Sequence, residues 1–217
     1  MPNIKTIYKQ RFCQKEIAKK ILLWKSLCKF YLQSLIDKDD TVMDIGAGYC
    51  EFINAINCKH KIAVDPNPYT KINAQKNVKV LAINAENIPQ SYYGKINIIL
   101  MSNFLEHLLT KDHVLYILNK SYKLLAPQGK LIIIQPNIDL AKEKYWDRID
   151  HHIALNEKGI VEALSVSGFK QIKAIRRFLP LTVQSKLPAH PILIRLYLVI
   201  PPKIRPFAAQ SLIIATK

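Results

Sequence analysis

From residue 41 onward the chain alternates short apolar runs with segments whose apolar positions recur every three or four residues. TVMDI (41–45), KHKIAVD (59–65), NVKVLAI (77–83), KINIILM (95–101) and GKLIIIQP (129–136) read as strands. YCEFINAIN (49–57), the segment after PNPY, and HVLYILNKSYKLL (113–125) read as the helices between them. EKGIVEALSVSG (157–168) is a further helix, and FKQIKAIRRF (169–178) and SLIIATK (211–217) are two further strands. Strand and helix alternating at this spacing predict an α/β fold, a mostly parallel sheet covered by helices on both faces. LIIIQ is apolar at every position, as a strand buried on both sides must be. Ahead of the alternation, residues 14–36 predict a helix whose stripe is Ile17, Ile21, Trp24, Cys28, Tyr31 and Leu35, with Lys15, Lys19, Lys25 and Lys29 off it.

Charge changes this picture at the two ends. The net charge is +16, but residues 37–162 carry fifteen basic and fifteen acidic side chains. Residues 1–36 are net +7, and residues 163–217 are net +9 with no acid at all. Basic flanks around a neutral centre imply that the flanks meet something anionic. The four cysteines, Cys13, Cys28, Cys50 and Cys58, form no C-x-x-C pair and read as reduced thiols of a cytosolic protein. No signal peptide and no apolar run long enough to span a bilayer is expected.

In such sheets ligands lie at the carboxyl ends of the strands, where strand order reverses. After the first strand come Asp44, Gly46, Ala47 and Gly48; the second ends at Asp65, followed by Pro66. The third leads to Asn84, Ala85 and Glu86, and the fourth to Asn103, Glu106 and His107. The glycines allow a sharp turn and a close backbone approach. An acid ending the second strand suits the two hydroxyls of a ribose. A dinucleotide would need G-x-G-x-x-G, but Glu51 stands at the third glycine and would repel a pyrophosphate. Acids around the turn suit a cationic nucleoside instead.

VMDIGAGYCEF, AVDPNP, NAENIP, NIILMSNFLEHL and LLAPQGKLIIIQP, in this order, resemble the motifs of the class I S-adenosylmethionine-dependent methyltransferases. The likeness is to the broad group that includes ubiquinone- and biotin-pathway enzymes, and it covers residues 41 to 136. HHIALNEKGIVEALSVSGF with the final SLIIATK resembles a subgroup found among envelope-polysaccharide enzymes. The resemblance implies a Rossmann-like, seven-stranded, mostly parallel sheet whose last strand is antiparallel. It divides the chain into a basic amphipathic helix (1–40) and a methyltransferase domain (41–217). It implies S-adenosyl-L-methionine as cofactor, bordered at its methionine end by Asp44, Gly46, Ala47 and Gly48. Asp65 with Pro66 would hold the ribose; Asn84, Ala85 and Glu86 would face the adenine; Asn103 would line the donor pocket. Two positions depart from the family pattern: Cys50 replaces a third glycine, and Asn84 replaces an aspartate.

Methyl transfer needs little beyond positioning, but an oxygen acceptor must also lose a proton. His107, His151 and His152 are the candidate bases, although neighbouring histidines cannot both face one site. Glu106 and His107 also read as a simple helix start. No third ligand is spaced in sequence to complete a metal site. The acceptor is expected to be a small molecule or glycan, either soluble or lipid-linked and reached from the cytoplasmic face of an anionic membrane. The basic N-terminal helix and FLPLTVQSKLPAHPILIRLYLVIPPKIRPF (178–207) motivate that reading. The prolines of this segment confine any helix in it to about 192–200. It reads either as a membrane contact or as a lid in which Leu193, Leu196 and Leu198 are buried. An RNA acceptor, held by phosphate contacts to the same flanks, and a non-catalytic partner subunit are the alternatives.

Overall fold

A computed structural model of the chain describes residues 14–181 and 190–217. The beginning of the N-terminal segment and the middle of the 178–207 segment lie outside the described residues. Seven strands form one sheet: β1 (Thr41–Ile45), β2 (His60–Val64), β3 (Val78–Leu81), β4 (Ile96–Ser102), β5 (Leu125–Pro136), β6 (Lys170–Pro180) and β7 (Ala208–Thr216), in the order β3-β2-β1-β4-β5-β7-β6. Six strands share one direction, and β7 enters antiparallel between β5 and β6. The chain runs outward from β1 through β2 to β3, then returns to β4 on the other side of β1. Strand order therefore reverses between β1 and β4, and a cleft at their carboxyl ends follows from that reversal.

Pleating sorts the central strands onto two cores. Met43, Ile45, Ile99, Met101, Leu131 and Ile133 point to one face, packed under α4 (Lys111–Leu124) and α6 (Glu157–Val166). Val42, Ile98, Leu100, Ile132 and Ile134 point to the other, packed under α1 (Gln14–Phe30) and α2 (Glu51–Ala55). This is why LIIIQ is apolar throughout. Two short helices, α3 (Pro68–Asn73) and α5 (Ile138–Ala141), and α7 (Pro191–Val199) complete the shell. The sequence pattern does not show α5, which is four residues long and capped by the Asn137 side chain, accepting from the Asp139 N–H at 3.0 Å.

The N-terminal helix ends at Phe30, earlier than its periodicity predicts, and Leu32–Leu35 tighten into a 3₁₀ turn. The tightening has a tertiary cause. The Gln33 side chain donates to the Asn57 carbonyl at 3.0 Å and accepts from the Asn57 N–H at 2.7 Å, tying this turn to the end of α2. Burial is confined to the second half of α1, where Trp24, Leu27 and Cys28 enter the core, while Ile21 lies exposed.

Between β1 and α2 the backbone is left-handed at Gly46 (φ 77°), Gly48 (φ 50°) and Cys50 (φ 61°). The predicted helix over 49–57 therefore starts only at Glu51. Cys50 takes a conformation that glycine adopts at no cost, but its sulfur is fully buried and lies 3.5 Å from the Thr70 carbonyl. Burial and the neighbouring acids push its thiol up to about 12, so it stays protonated.

A second anchor lies near the C-terminus. Arg205 is only 3% exposed, and its guanidinium fills the space between the Phe178 and Tyr197 rings. It donates to the carbonyls of Arg177, Phe178, Leu198 and Ile200 at 2.9 to 3.3 Å. The end of α7 and the end of β6 are thus held by one side chain, and burial lowers its pKa. Replacement by a residue that cannot fork leaves those carbonyls without a donor. Arg205→Met is expected to cost about 2–3 kcal/mol, and Arg205→Lys to recover less than half of it, as read by urea denaturation. For Cys50→Gly, relief of about 1 kcal/mol of left-handed strain opposes the loss of one buried sulfur. The same measurement should find that variant within about 1 kcal/mol of the wild type, whereas Cys50→Val, branched at a positive φ, should lose at least about 2 kcal/mol.

Candidate active site

Asp65 organises the cleft between β1 and β4. It directly follows β2 and is 8% exposed. Its Oδ2 accepts the Gly48 N–H and its Oδ1 the Asn67 N–H, both at 2.8 Å. Burial raises its pKa, and these two N–H bonds oppose the rise. A carboxylate has lone pairs beyond the two already used, so it can still accept from ligand hydroxyls. Thr70 of α3 completes the clasp by donating to the Gly48 carbonyl at 2.7 Å. Gly46 admits no side chain: a Cβ there would come within 2.7 Å of the Phe104 ring.

Asp44 is 4% exposed. Burial raises its pKa well above the usual carboxylate range, and the charges of Glu51 and Asp65 raise it further. Lys20 and the Ile53 backbone N–H work in the opposite direction; the Lys20 ammonium lies 3.0 Å from the Glu51 carboxylate. Asp44, Glu51 and Asp65 thus gather three carboxyl groups at one turn, which fits a ligand carrying positive charge, since a cation favours their ionised forms.

The other predicted positions lie around the same strand ends. Ala85 is buried, while Asn84 and Pro66 are exposed. The Glu86 carboxylate pairs with His113 of α4, and its carbonyl accepts from Lys120 at 2.7 Å, so its side chain is used to brace α4. Asn103 is exposed and left-handed (φ 48°), with its N–H donated to the Ile134 carbonyl at 2.9 Å. Ala47 is buried, its N–H directed at the Val64 carbonyl.

Beyond Phe104 the chain forms a 3₁₀ turn, Leu105–His107, rather than a helix start. Glu106 is fully buried, and neither carboxylate oxygen meets a side-chain donor among the described residues. Burial raises its pKa, and the charge of His107 opposes the rise. His107 Nδ1 lies 2.7 Å from the Asp150 carbonyl, and Nε2 lies 4.0 Å from Glu106 Oε1. The two adjacent histidines divide as the backbone requires. His151 turns inward, its ring 5.2 Å from that of His107 and 5.0 Å from that of Tyr145. His152 is exposed and contributes only its N–H, donated to the Glu106 carbonyl at 2.9 Å. Ligand atoms of Glu106, His107 and His151 all lie within 4.8 Å of one another.

Three further residues here escape sequence reasoning. Gln135, near the carboxyl end of β5, is 1% exposed, with neither amide atom hydrogen-bonded among the described residues. Tyr145, fully buried, donates to the Ile153 carbonyl at 2.8 Å, and burial together with the Glu106 charge raises its pKa. Asp150 orients His107. A polar residue within an apolar strand marks Gln135 in the sequence; nothing local marks the other two.

Residues 11–173 match the family model described as a methyltransferase domain. No curated protein sequence matches the chain significantly. Among solved structures, a SAM-dependent methyltransferase of Archaeoglobus fulgidus is similar over 99% of this chain and 100% of its own, with 19% identity and a TM-score of 0.70. A SAM-dependent methyltransferase of Thermotoga maritima, a possible histamine N-methyltransferase, is similar over 91% of both chains, with 19% identity and a TM-score of 0.63. At these identities the likeness is one of fold. The acidic turn, the glycine without room for a side chain and the buried Asp65 fit S-adenosylmethionine, the donor of such enzymes. With its family model matched over most of its length, the chain belongs to the methyltransferase domain family and is a SAM-dependent methyltransferase of Rossmann-like fold.

Proposed function

We propose that this methyltransferase methylates a hydroxyl of a small-molecule or glycan acceptor. The observation that carries this reading is the Glu106–His107–His151 cluster, which follows directly on the Phe104 ring that closes the cofactor turn. Bound at that turn, S-adenosylmethionine supplies a sulfonium-activated methyl group. Asp65 would hold the ribose hydroxyls, Ala85 and Asn84 the adenine, and Asp44 the cationic end. With its Nδ1–H donated to the Asp150 carbonyl, His107 keeps its Nε2 lone pair for the acceptor. It can then take up the hydroxyl proton, with the Glu106 charge stabilising the imidazolium. The Gln135 amide, unpartnered at the same strand ends, is a further group for the acceptor's polar atoms.

A lipid-linked acceptor, met at an anionic membrane surface, is favoured by a separate observation. On α7 and the turn after it, Ile192, Leu193, Leu196, Val199, Ile204 and Phe207 are each 46% to 74% exposed. Leu193 and Leu196, offered above as residues of a buried lid, are among them; Leu198 is half-buried against the core. Arg195, Lys203, Lys25 and Lys29 are exposed on α7, on α1 and in the connecting turn. Apolar side chains interleaved with cations suit the interface of an anionic leaflet. No helix among the described residues is long and apolar enough to cross a membrane.

Calorimetric titration tests the cofactor assignment and its electrostatics together. Asp65→Ala should weaken S-adenosylhomocysteine by about 2–3 kcal/mol, and binding of NAD in its place would overturn the assignment. Asp44 has a folded pKa above its unfolded one, so its contribution to stability is intact below the ordinary carboxylate range and is lost as pH rises through the raised value. Asp44→Asn should therefore melt higher than the wild type near neutral pH. A cation favours the ionised carboxylate. As pH rises through the raised value of Asp44, the affinity for S-adenosylmethionine should rise more steeply than that for uncharged-sulfur S-adenosylhomocysteine, and the difference should vanish in Asp44→Asn.

The membrane reading predicts cosedimentation with vesicles of anionic phospholipid, weakened but not abolished by salt, because the apolar part is not screened. Leu196→Glu with Val199→Glu should remove it while leaving S-adenosylhomocysteine binding intact. Hydrogen exchange across 190–202 should slow when vesicles are added. No change there would eliminate the membrane contact.

A further inference from the structure

We propose that Glu106, His107 and His151 bind a divalent transition-metal ion at the acceptor side of the methyl-transfer site. Three observations converge on it. The Glu106 carboxylate is fully buried and meets no side-chain hydrogen-bond donor among the described residues, an arrangement that an ionised carboxylate tolerates poorly unless a cation joins it. His107 is oriented as metal-ligating histidines are: one ring nitrogen lies 2.7 Å from a carbonyl, that of Asp150, which leaves Nε2 as a bare lone pair. That nitrogen stands 4.0 Å from Glu106 Oε1, too far for a hydrogen bond. One ligand atom from each of Glu106, His107 and His151 lies within 4.8 Å of the other two. Tetrahedral ligands at about 2.0–2.2 Å from one ion stand roughly 3.5 Å apart. A closing movement of about 1 Å would bring them together, and both histidines are partly exposed.

The donor set names the class of ion. One carboxylate and two imidazoles suit zinc, manganese or iron rather than calcium or magnesium, which prefer oxygen cages. Three protein ligands leave a coordination position open, the arrangement of catalytic rather than structural sites. The sequence conceals this set because Glu106 and His107 are separated from His151 by all of β5 and the loop after it.

This inference deepens the hydroxyl reading above and rests on it for the ion's use, though not for its binding. An acceptor hydroxyl drawn to the open position has its O–H acidified, so its proton leaves to water and the lone pair stays on oxygen. His107 Nε2 would then hold the ion instead of taking the proton itself.

The test uses the full chain without an affinity tag, stripped by a chelator and dialysed. Zinc and manganese chlorides are titrated against it in competition with a chromophoric chelator, with magnesium chloride as the comparison. The expected result is one ion per chain, with magnesium at least about 100-fold weaker. Glu106→Gln keeps the shape and removes the charge; His151→Phe keeps the ring packing on Tyr145 and His107 and removes the nitrogens. Each should weaken zinc at least about 30-fold, as the loss of one of three ligands predicts, with S-adenosylhomocysteine titrations unchanged. Absence of a stoichiometric ion, or an affinity that neither substitution alters, would overturn the site. A wild-type chain that binds zinc in this way but no S-adenosylhomocysteine would keep the metal site and remove the methyl-transfer reading it serves.

Discussion

The carboxylate of Asp65 is the constraint on which the cleft depends. It holds the N–H of Gly48 with one oxygen and the N–H of Asn67 with the other. One residue thereby fixes the turn after β1 relative to the turn after β2. Thr70 closes the loop by returning a hydrogen bond to the Gly48 carbonyl, and Asn67 caps the helix that carries Thr70. The left-handed residues at 46, 48 and 50 are affordable only because this clasp determines them from outside. With the turn fixed, Gly46 can lie against Phe104, and Phe104 in turn sets the direction of the chain into Leu105, Glu106 and His107. The donor side and the acceptor side of the site are linked by this one aromatic contact.

Much of this was legible in the sequence, for a physical reason. A parallel sheet buried on both faces must be built from continuous apolar runs, and its ligand residues must follow those runs. TVMDI, KINIILM and LIIIQ could hardly be read otherwise, and Asp44, Gly46, Gly48 and Asp65 follow from strand ends alone. The prolines also marked out where a helix could lie in the 178–207 segment, and α7 lies there. What was hidden depends on distant pairs. The early end of α1 is caused by Gln33 meeting Asn57, and the burial of Arg205 by carbonyls from β6 and α7. The inward turn of His151, and not of His152, is decided where the β5–α6 loop meets the Leu105–His107 turn. The pairing of Glu86 with His113 of α4 was equally invisible, since the two residues meet only in the fold.

The unusual feature of the site is how much negative charge it buries. Asp44, Glu51 and Asp65 gather at the donor turn, and Glu106 stands alone a few residues beyond Phe104. In a chain of net charge +16, cations are abundant, yet Lys20 is what reaches the first group, and a partly exposed histidine lies nearest the second. A fold that buries acids without matching them loses stability unless something else brings positive charge to them. In the proposed function the sulfonium and ammonium of the donor answer the first group. By the same electrostatic logic a metal ion answers the second. The positive charge of the chain itself is kept at its flanks, where α1 and α7 expose it beside aliphatic side chains. The protein thus separates its two electrostatic tasks, holding anionic pockets for cations inside the cleft and turning a cationic, apolar surface outward.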